Sequence, residues 1–108
     1  MSEIEYDRAG VIFEGKIALV KNVMSSSVMP PPPGFATRLG YWEAATGIRH
    51  PKCAHEICER EATHGAIATL ALSSDRRHYV FPACETCARR TEMLYVKGPL
   101  VMIESQRE

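Results

Sequence analysis

Four cysteines are the residues whose types and spacing point most directly to chemistry in this sequence. They form two pairs, Cys53 with Cys58 and Cys84 with Cys87, and 25 residues separate the pairs. Zinc in structural sites prefers four such ligands at tetrahedral corners, about 2.3 Å from the metal. Since four protein ligands leave no open coordination position, the spacing predicts one structural Zn²⁺ and no enzymatic role for the metal.

Other uses of the cysteines stay open. Two disulfides would need an oxidising compartment, and the polar, acidic first residues contain no secretory signal, which favours a cytoplasmic location. A redox Cys-x-x-Cys motif would leave the first cysteine pair unexplained, and no βαβ pattern precedes the motif. Either His55 or His64 could replace one cysteine as a ligand, although the four cysteines already complete the shell.

Three elements are expected to position the cysteines. A short loop presents residues 53–58, and a β-hairpin follows, with strands over 65–72 and 78–81 and turn residues between them. A helix is predicted from Cys84 to about Lys97, because its apolar residues recur at helical spacing. The residues on that predicted helical face are Cys87, Thr91, Leu94 and Tyr95.

The N-terminal half predicts a β-hairpin and a proline-rich loop. Short β-prone runs flank Gly15, which favours a hairpin over 10–23. The loop over 24–34 contains four consecutive prolines, Pro30–Pro33, which favour polyproline II because proline fixes φ and lacks an N–H donor. This loop is interpreted as a stiff connector, with a ligand for an aromatic-lined groove as the alternative.

Short elements complete the predicted domain. Residues 40–47 predict one or two helical turns ended by Gly47. Within them, Tyr41 and Trp42 are expected to pack in the core, with a base-stacking platform as the alternative. A final strand is predicted over 99–104 and a tail over 105–108.

The region over 50–97 resembles a treble-clef zinc finger. The resemblance rests on Cys-x4-Cys, a Gly-Ala-led hairpin and the segment Tyr79–Cys87. More narrowly, it is similar to small bacterial zinc proteins, whose scaffold in turn resembles that of HNH-type endonucleases. These nucleases need a histidine base on the hairpin strand and polar metal ligands on the helix. Here residues 65–69 contain no histidine, and Ala-Arg-Arg follows Cys87, so the resemblance implies a zinc module that is catalytically incomplete.

Together the elements predict a small single α+β domain over 1–108. In it, β-hairpins and one C-terminal helix surround a treble-clef-like structural zinc site. No apolar run reaches the roughly 20 residues of a membrane helix, and no small-molecule substrate site is recognisable.

The charge pattern leaves two classes of partner. The chain has 13 basic and 13 acidic residues, which excludes a strongly basic polyanion binder. Residues 49–97, however, contain eight basic and six acidic side chains. Arginines on the predicted hairpin turn and helix surface could contact phosphates: Arg76, Arg77, Arg89 and Arg90. The predicted function is a non-enzymatic zinc protein that binds nucleic acid, with a protein-interaction adaptor or inhibitor as the alternative.

Overall fold

An antiparallel sheet of six strands and two short helices make up the described part of the chain. The computed structural model describes residues 11–22, 31–72, 77–90 and 93–103. The elements, in chain order, are β1 Val11–Ile12, β2 Ile17–Asn22, α1 Arg38–Thr46, β3 His64–Leu70, β4 His78–Ala83, α2 Glu85–Ala88, β5 Met93–Lys97 and β6 Leu100–Ile103. The strand order in the sheet is β1-β6-β4-β3-β2-β5.

The sheet has a buried cluster on each face, because successive side chains of a strand point to opposite sides. On one face α1 packs through Trp42 against Ile67 and Val80. On the other face Ala66 and Phe81, which are the chain neighbours of those two strand residues, pack with the cysteines. The metal-ligating candidates therefore lie across the sheet from α1.

Helix α1 has a defined cap at each end. The Thr37 hydroxyl accepts a hydrogen bond from the Gly40 N–H at 2.9 Å. Gly47 ends the helix with φ of 78°, a left-handed conformation that favours glycine. The helical turns predicted over 40–47 are thus confirmed. The core role of Trp42 is also confirmed, since it is 2% exposed and its indole N–H donates to the Pro99 carbonyl at 2.9 Å.

The predicted C-terminal helix is wrong. Helix α2 ends at Ala88, and 93–97 is strand β5, which pairs with β2. The helical pattern placed Leu94 and Tyr95 on one face, but Leu94 is buried and Tyr95 is 55% exposed. Burial alternates along all five residues of β5, so the period is two and the segment is a half-buried strand.

The predicted hairpin over 10–23 is also not formed. Both strands exist, but β1 pairs with β6, and β2 pairs with β3 and β5. The segment between them includes Phe13 at φ of 60° and Gly15 at φ of 76°, and it connects two distant positions of the sheet. The hairpin between β3 and β4 is confirmed by its antiparallel register from His64 opposite Ala83 to Ala68 opposite Tyr79.

The remaining predicted segments are described in part. The strand predicted over 99–104 corresponds to β6. In the proline-rich loop, residues 24–30 lie outside the described residues, and the Phe35 N–H donates to the Pro32 carbonyl at 3.2 Å. The turn at 73–76 and the tail at 105–108 also lie outside them. Within the described ranges, no helix has the length and hydropathy that a membrane crossing needs.

Candidate metal centre

The four predicted cysteines lie together on one face of the sheet. All four Sγ atoms are within 4.8 Å of one another, so they could hold a metal ion. The Cys58 and Cys84 Sγ atoms are 3.8 Å apart, far longer than a disulfide bond of about 2.05 Å. None of the four is disulfide-bonded, and Cys53, Cys84 and Cys87 are buried.

Backbone hydrogen bonds fix the loop that carries the first cysteine pair. The Cys53 N–H donates to the Arg60 carbonyl at 2.7 Å, and the Cys58 N–H donates to the His55 carbonyl at 2.9 Å. The loop also bonds to two strands. Ala54 donates to the Pro82 carbonyl of β4 at 2.8 Å and accepts from the Lys97 N–H of β5 at 2.7 Å. The sheet therefore sets the position of this pair.

Helix α2 carries the second pair on a single turn. Cys84 is the N-cap residue and Cys87 is buried within the turn. The Ala88 N–H donates to the Cys84 carbonyl at 2.9 Å, which closes the turn and places both thiols on the same side. The sequence correctly placed this pair at a helix start, although the helix is much shorter than predicted.

Asn22 is a site residue that the sequence analysis missed. Its side-chain N–H groups donate to the Cys87 carbonyl at 3.1 Å and to the Arg90 carbonyl at 2.7 Å. The residue is only 6% exposed, and its Oδ1 atom has no hydrogen-bond partner among the described residues. The available signal was a polar residue that continues the inward positions of Ala18 and Val20 on β2.

The thiols differ in how readily they lose a proton. Burial raises the pKa of Cys53 and of Cys87. Burial acts in the same direction on Cys84, but hydrogen bonds from the Cys87 backbone N–H and from the other three thiols lower the pKa of Cys84 to about 7. Cys84 therefore loses its proton more readily than the buried Cys53 and Cys87 thiols.

The two candidate histidine ligands occupy different positions. The Nδ1 atom of His55 is 3.5 Å from the Cys87 Sγ atom, a contact that can carry a hydrogen bond to sulfur. His64 is exposed, and its Nδ1 atom is 2.7 Å from the Thr63 hydroxyl. Among the described residues, the group that could hold a metal contains the four cysteines and no histidine. His55 therefore lies next to the candidate ligand shell, not within it.

A cavity of about 300 Å³ opens beside the cysteines. Two arginines and one glutamate line it, Arg60, Arg90 and Glu59, together with His55. A divalent ion with four thiolates has a net charge of about −2. Cationic side chains at this position would offset that charge.

The arginines predicted to contact phosphates are only partly described. Arg76 lies outside the described residues. Arg77 is exposed and directly precedes β4, whereas Arg89 and Arg90 are exposed directly after α2. Arg89 forms an ion pair of 2.8 Å with Glu85.

Comparison with protein-family models, curated proteins and solved structures finds no match. The treble-clef and HNH-like resemblance therefore rests on the cysteine spacing and the hairpin alone. The helix that this resemblance implies after the second cysteine pair is a single turn followed by a strand. The feature that the structure has in common with a treble-clef zinc finger is the four-cysteine group that could hold a metal.

Proposed function

We propose that this chain is a non-enzymatic zinc domain in which the four cysteines bind one structural Zn²⁺. The observation that supports this most directly is the Cys58–Cys84 sulfur separation of 3.8 Å. A tetrahedral site with Zn–S bonds of about 2.3 Å has sulfur atoms about 3.8 Å apart. This pair of sulfurs therefore has the spacing of a zinc shell, and all four sulfurs lie within 4.8 Å of one another.

The four-thiolate shell favours zinc over harder metals. Sulfur ligands disfavour Mg²⁺ and Ca²⁺, which prefer oxygen, and a tetrahedral set of four sulfurs suits zinc or iron. A shell completed by protein leaves no position for a substrate or water, so the metal has a structural role.

The proposed metal joins parts of the chain that are distant in sequence. It would tie the loop of Cys53 and Cys58 to the turn of Cys84 and Cys87, and both segments pack on the sheet. Apparent binding free energies of structural zinc in small modules are about 10–16 kcal/mol at neutral pH. This range is comparable with the whole stability of a small domain.

Metal analysis of the purified chain tests the proposal. We expect one zinc per chain, and tetrathiolate absorption bands after replacement by Co²⁺. Cys84→Ser should lose the metal, whereas Thr86→Ala, an exposed change on the same turn, should keep it. A metal content well below one per chain, or iron in place of zinc, would contradict the assignment.

Nucleic-acid contact stays a second proposal, supported by the exposure of Arg77 and Arg90. Arg89 is exposed as well, and it forms an ion pair with Glu85. Binding of short DNA and RNA at low and high salt tests this idea, since phosphate contacts weaken steeply with salt. Arg77→Ala and Arg90→Ala should each reduce the salt dependence, and no binding at low salt would end the proposal.

A further inference from the structure

One face of strands β2 and β5 combines exposed apolar side chains with lysines. Directly opposite residues of an antiparallel pair project to the same side. The six residues of this β2–β5 face pair as Ile17 with Lys97, Leu19 with Tyr95, and Lys21 with Met93. Ile17, Tyr95 and Met93 are 49%, 55% and 56% exposed. The face is therefore a contiguous apolar surface with a lysine at two opposite corners.

The β2–β5 face continues the surface on which α1 packs. Lys21 lies opposite Thr69 on β3, and Thr69 is on the same side of that strand as Ile67, which packs with Trp42. Helix α1 contacts β3, β4 and β6, and the face lies beyond it on the next two strands. A second element could lie beside α1 and extend the same layer.

The outer edge of β5, on the side away from β2, is already hydrogen-bonded and cannot pair with an added strand. The Glu56 N–H donates to the Tyr95 carbonyl at 2.8 Å, and the Lys97 N–H donates to the Ala54 carbonyl at 2.7 Å. The cysteine loop thus already uses the backbone groups through which a peptide would extend the sheet. A partner would have to contact the side chains of the face.

Charge and size define the partner. None of the six residues is acidic and two are lysines, so a complementary surface is apolar with carboxylates at its margin. The face measures roughly 16 by 10 Å, from a strand rise of about 3.3 Å and a strand spacing of about 4.8 Å. The corresponding area of roughly 160 Å² is far below the roughly 800 Å² that each partner buries in a standard protein interface. A face of this size matches a single helical segment.

We propose that the β2–β5 face binds an acidic amphipathic helix of a partner protein. The apolar stripe of that helix would pack on Ile17, Leu19 and Tyr95, and its carboxylates would approach Lys21 and Lys97. A second copy of the chain fits less well because its own face offers no carboxylate to the lysines. Single-stranded nucleic acid fits less well because Tyr95 is the one aromatic residue of the face on which a base could stack.

The first test uses two synthetic helical peptides with the same leucine stripe, one with flanking glutamates and one with flanking lysines. With zinc-loaded protein, we expect the glutamate peptide to bind at least about tenfold more tightly. Amide chemical shift changes on titration should lie on β2 and β5. Equal affinity of the two peptides, or shifts elsewhere, would overturn the proposal.

Variants supply the second test. Tyr95→Ser should weaken the glutamate peptide about fivefold or more, and the double variant Lys21→Glu with Lys97→Glu should reverse the preference between peptides. Ile48→Ser, which removes an exposed isoleucine after α1, is the matched control and should change neither affinity. Competition by an oligothymidylate at the same residues would assign the face to nucleic acid. Dimerisation that Tyr95→Ser abolishes would assign it to a second copy.

Discussion

Replacement of Asn22 should separate its role in the metal site from ordinary packing. The side-chain amide reaches the carbonyls of Cys87 and Arg90, at 3.1 and 2.7 Å. Since both partners are acceptors, the donating group must be the amide nitrogen. In Asn22→Asp, an oxygen of nearly identical size would face the same two carbonyl oxygens. Asn22→Ala would remove both hydrogen bonds without adding a charge.

The expected losses of stability differ between the two variants. Each lost hydrogen bond costs about 1 kcal/mol, so Asn22→Ala should lower the free energy of unfolding by about 2 kcal/mol. Asn22→Asp should lose more, at least about 3 kcal/mol, because it also buries a carboxylate beside acceptors. Both variants should bind zinc about 10–100-fold more weakly, as is typical when a residue that orients a metal ligand is removed.

Two measurements check these expectations. Urea unfolding can be followed by the fluorescence of Trp42, the single tryptophan of the chain, and zinc affinity by competition with a chelator. Lys21→Ala is the control, because Lys21 is the exposed neighbour on the same strand. If both Asn22 variants stayed within about 0.5 kcal/mol of the parent protein and kept its zinc affinity, the positioning role assigned to Asn22 would be refuted.

Three further substitutions or conditions have defined expected outcomes. Zinc affinity, measured by chelator competition, should fall at least about a hundredfold per pH unit below pH 7. The buried Cys53 and Cys87 thiols must each lose a proton to bind metal, and Cys84, with a pKa of about 7, loses part of one. Gly98→Ala should destabilise the fold by more than about 2 kcal/mol in thermal unfolding, because a Cβ would overlap the Phe13 carbonyl oxygen and lie 2.6 Å from its carbonyl carbon. Glu85→Gln should change the free energy of unfolding by less than about 0.5 kcal/mol, because its ion pair is exposed.

The sequence identified the candidate ligands because their signal is local. Two cysteines within one loop, and two more at a helix start, need few assumptions about the rest of the fold. The same reasoning could not identify Asn22, whose partners Cys87 and Arg90 are 65 and 68 residues away. A polar residue at an inward position of a strand shows that something must satisfy it, but not which carbonyl groups do so.

The two wrong predictions about the fold, the C-terminal helix and the N-terminal hairpin, have related physical causes. Four positions between Cys87 and Tyr95 matched helical spacing by chance, but residues 93–97 form β5, and their pairing with β2 decided the outcome. Short apolar segments fit either period, and tertiary contacts choose between them. The hairpin over 10–23 failed because adjacency in sequence favours pairing without requiring it, and β6 supplies the partner of β1 from the other end of the chain.

The position of the cysteine loop links the metal to the sheet as a whole. β5 is an edge strand of the sheet. An unpaired strand edge is a site at which proteins aggregate. The loop occupies that edge through its bonds to Tyr95 and Lys97, so loss of the metal should release the loop and expose the edge.

Loss of the metal should also destabilise the opposite face of the sheet, on which Trp42 packs. Ala66 belongs to the cluster with the cysteines, whereas its neighbour Ile67 belongs to the cluster with Trp42. Because one strand supplies residues to both clusters, disorder on the metal face removes the backbone support of the other. Chelation should therefore change Trp42 fluorescence together with the far-ultraviolet circular dichroism signal. A Trp42 signal that stays native after the metal is removed would show that the two faces fold independently.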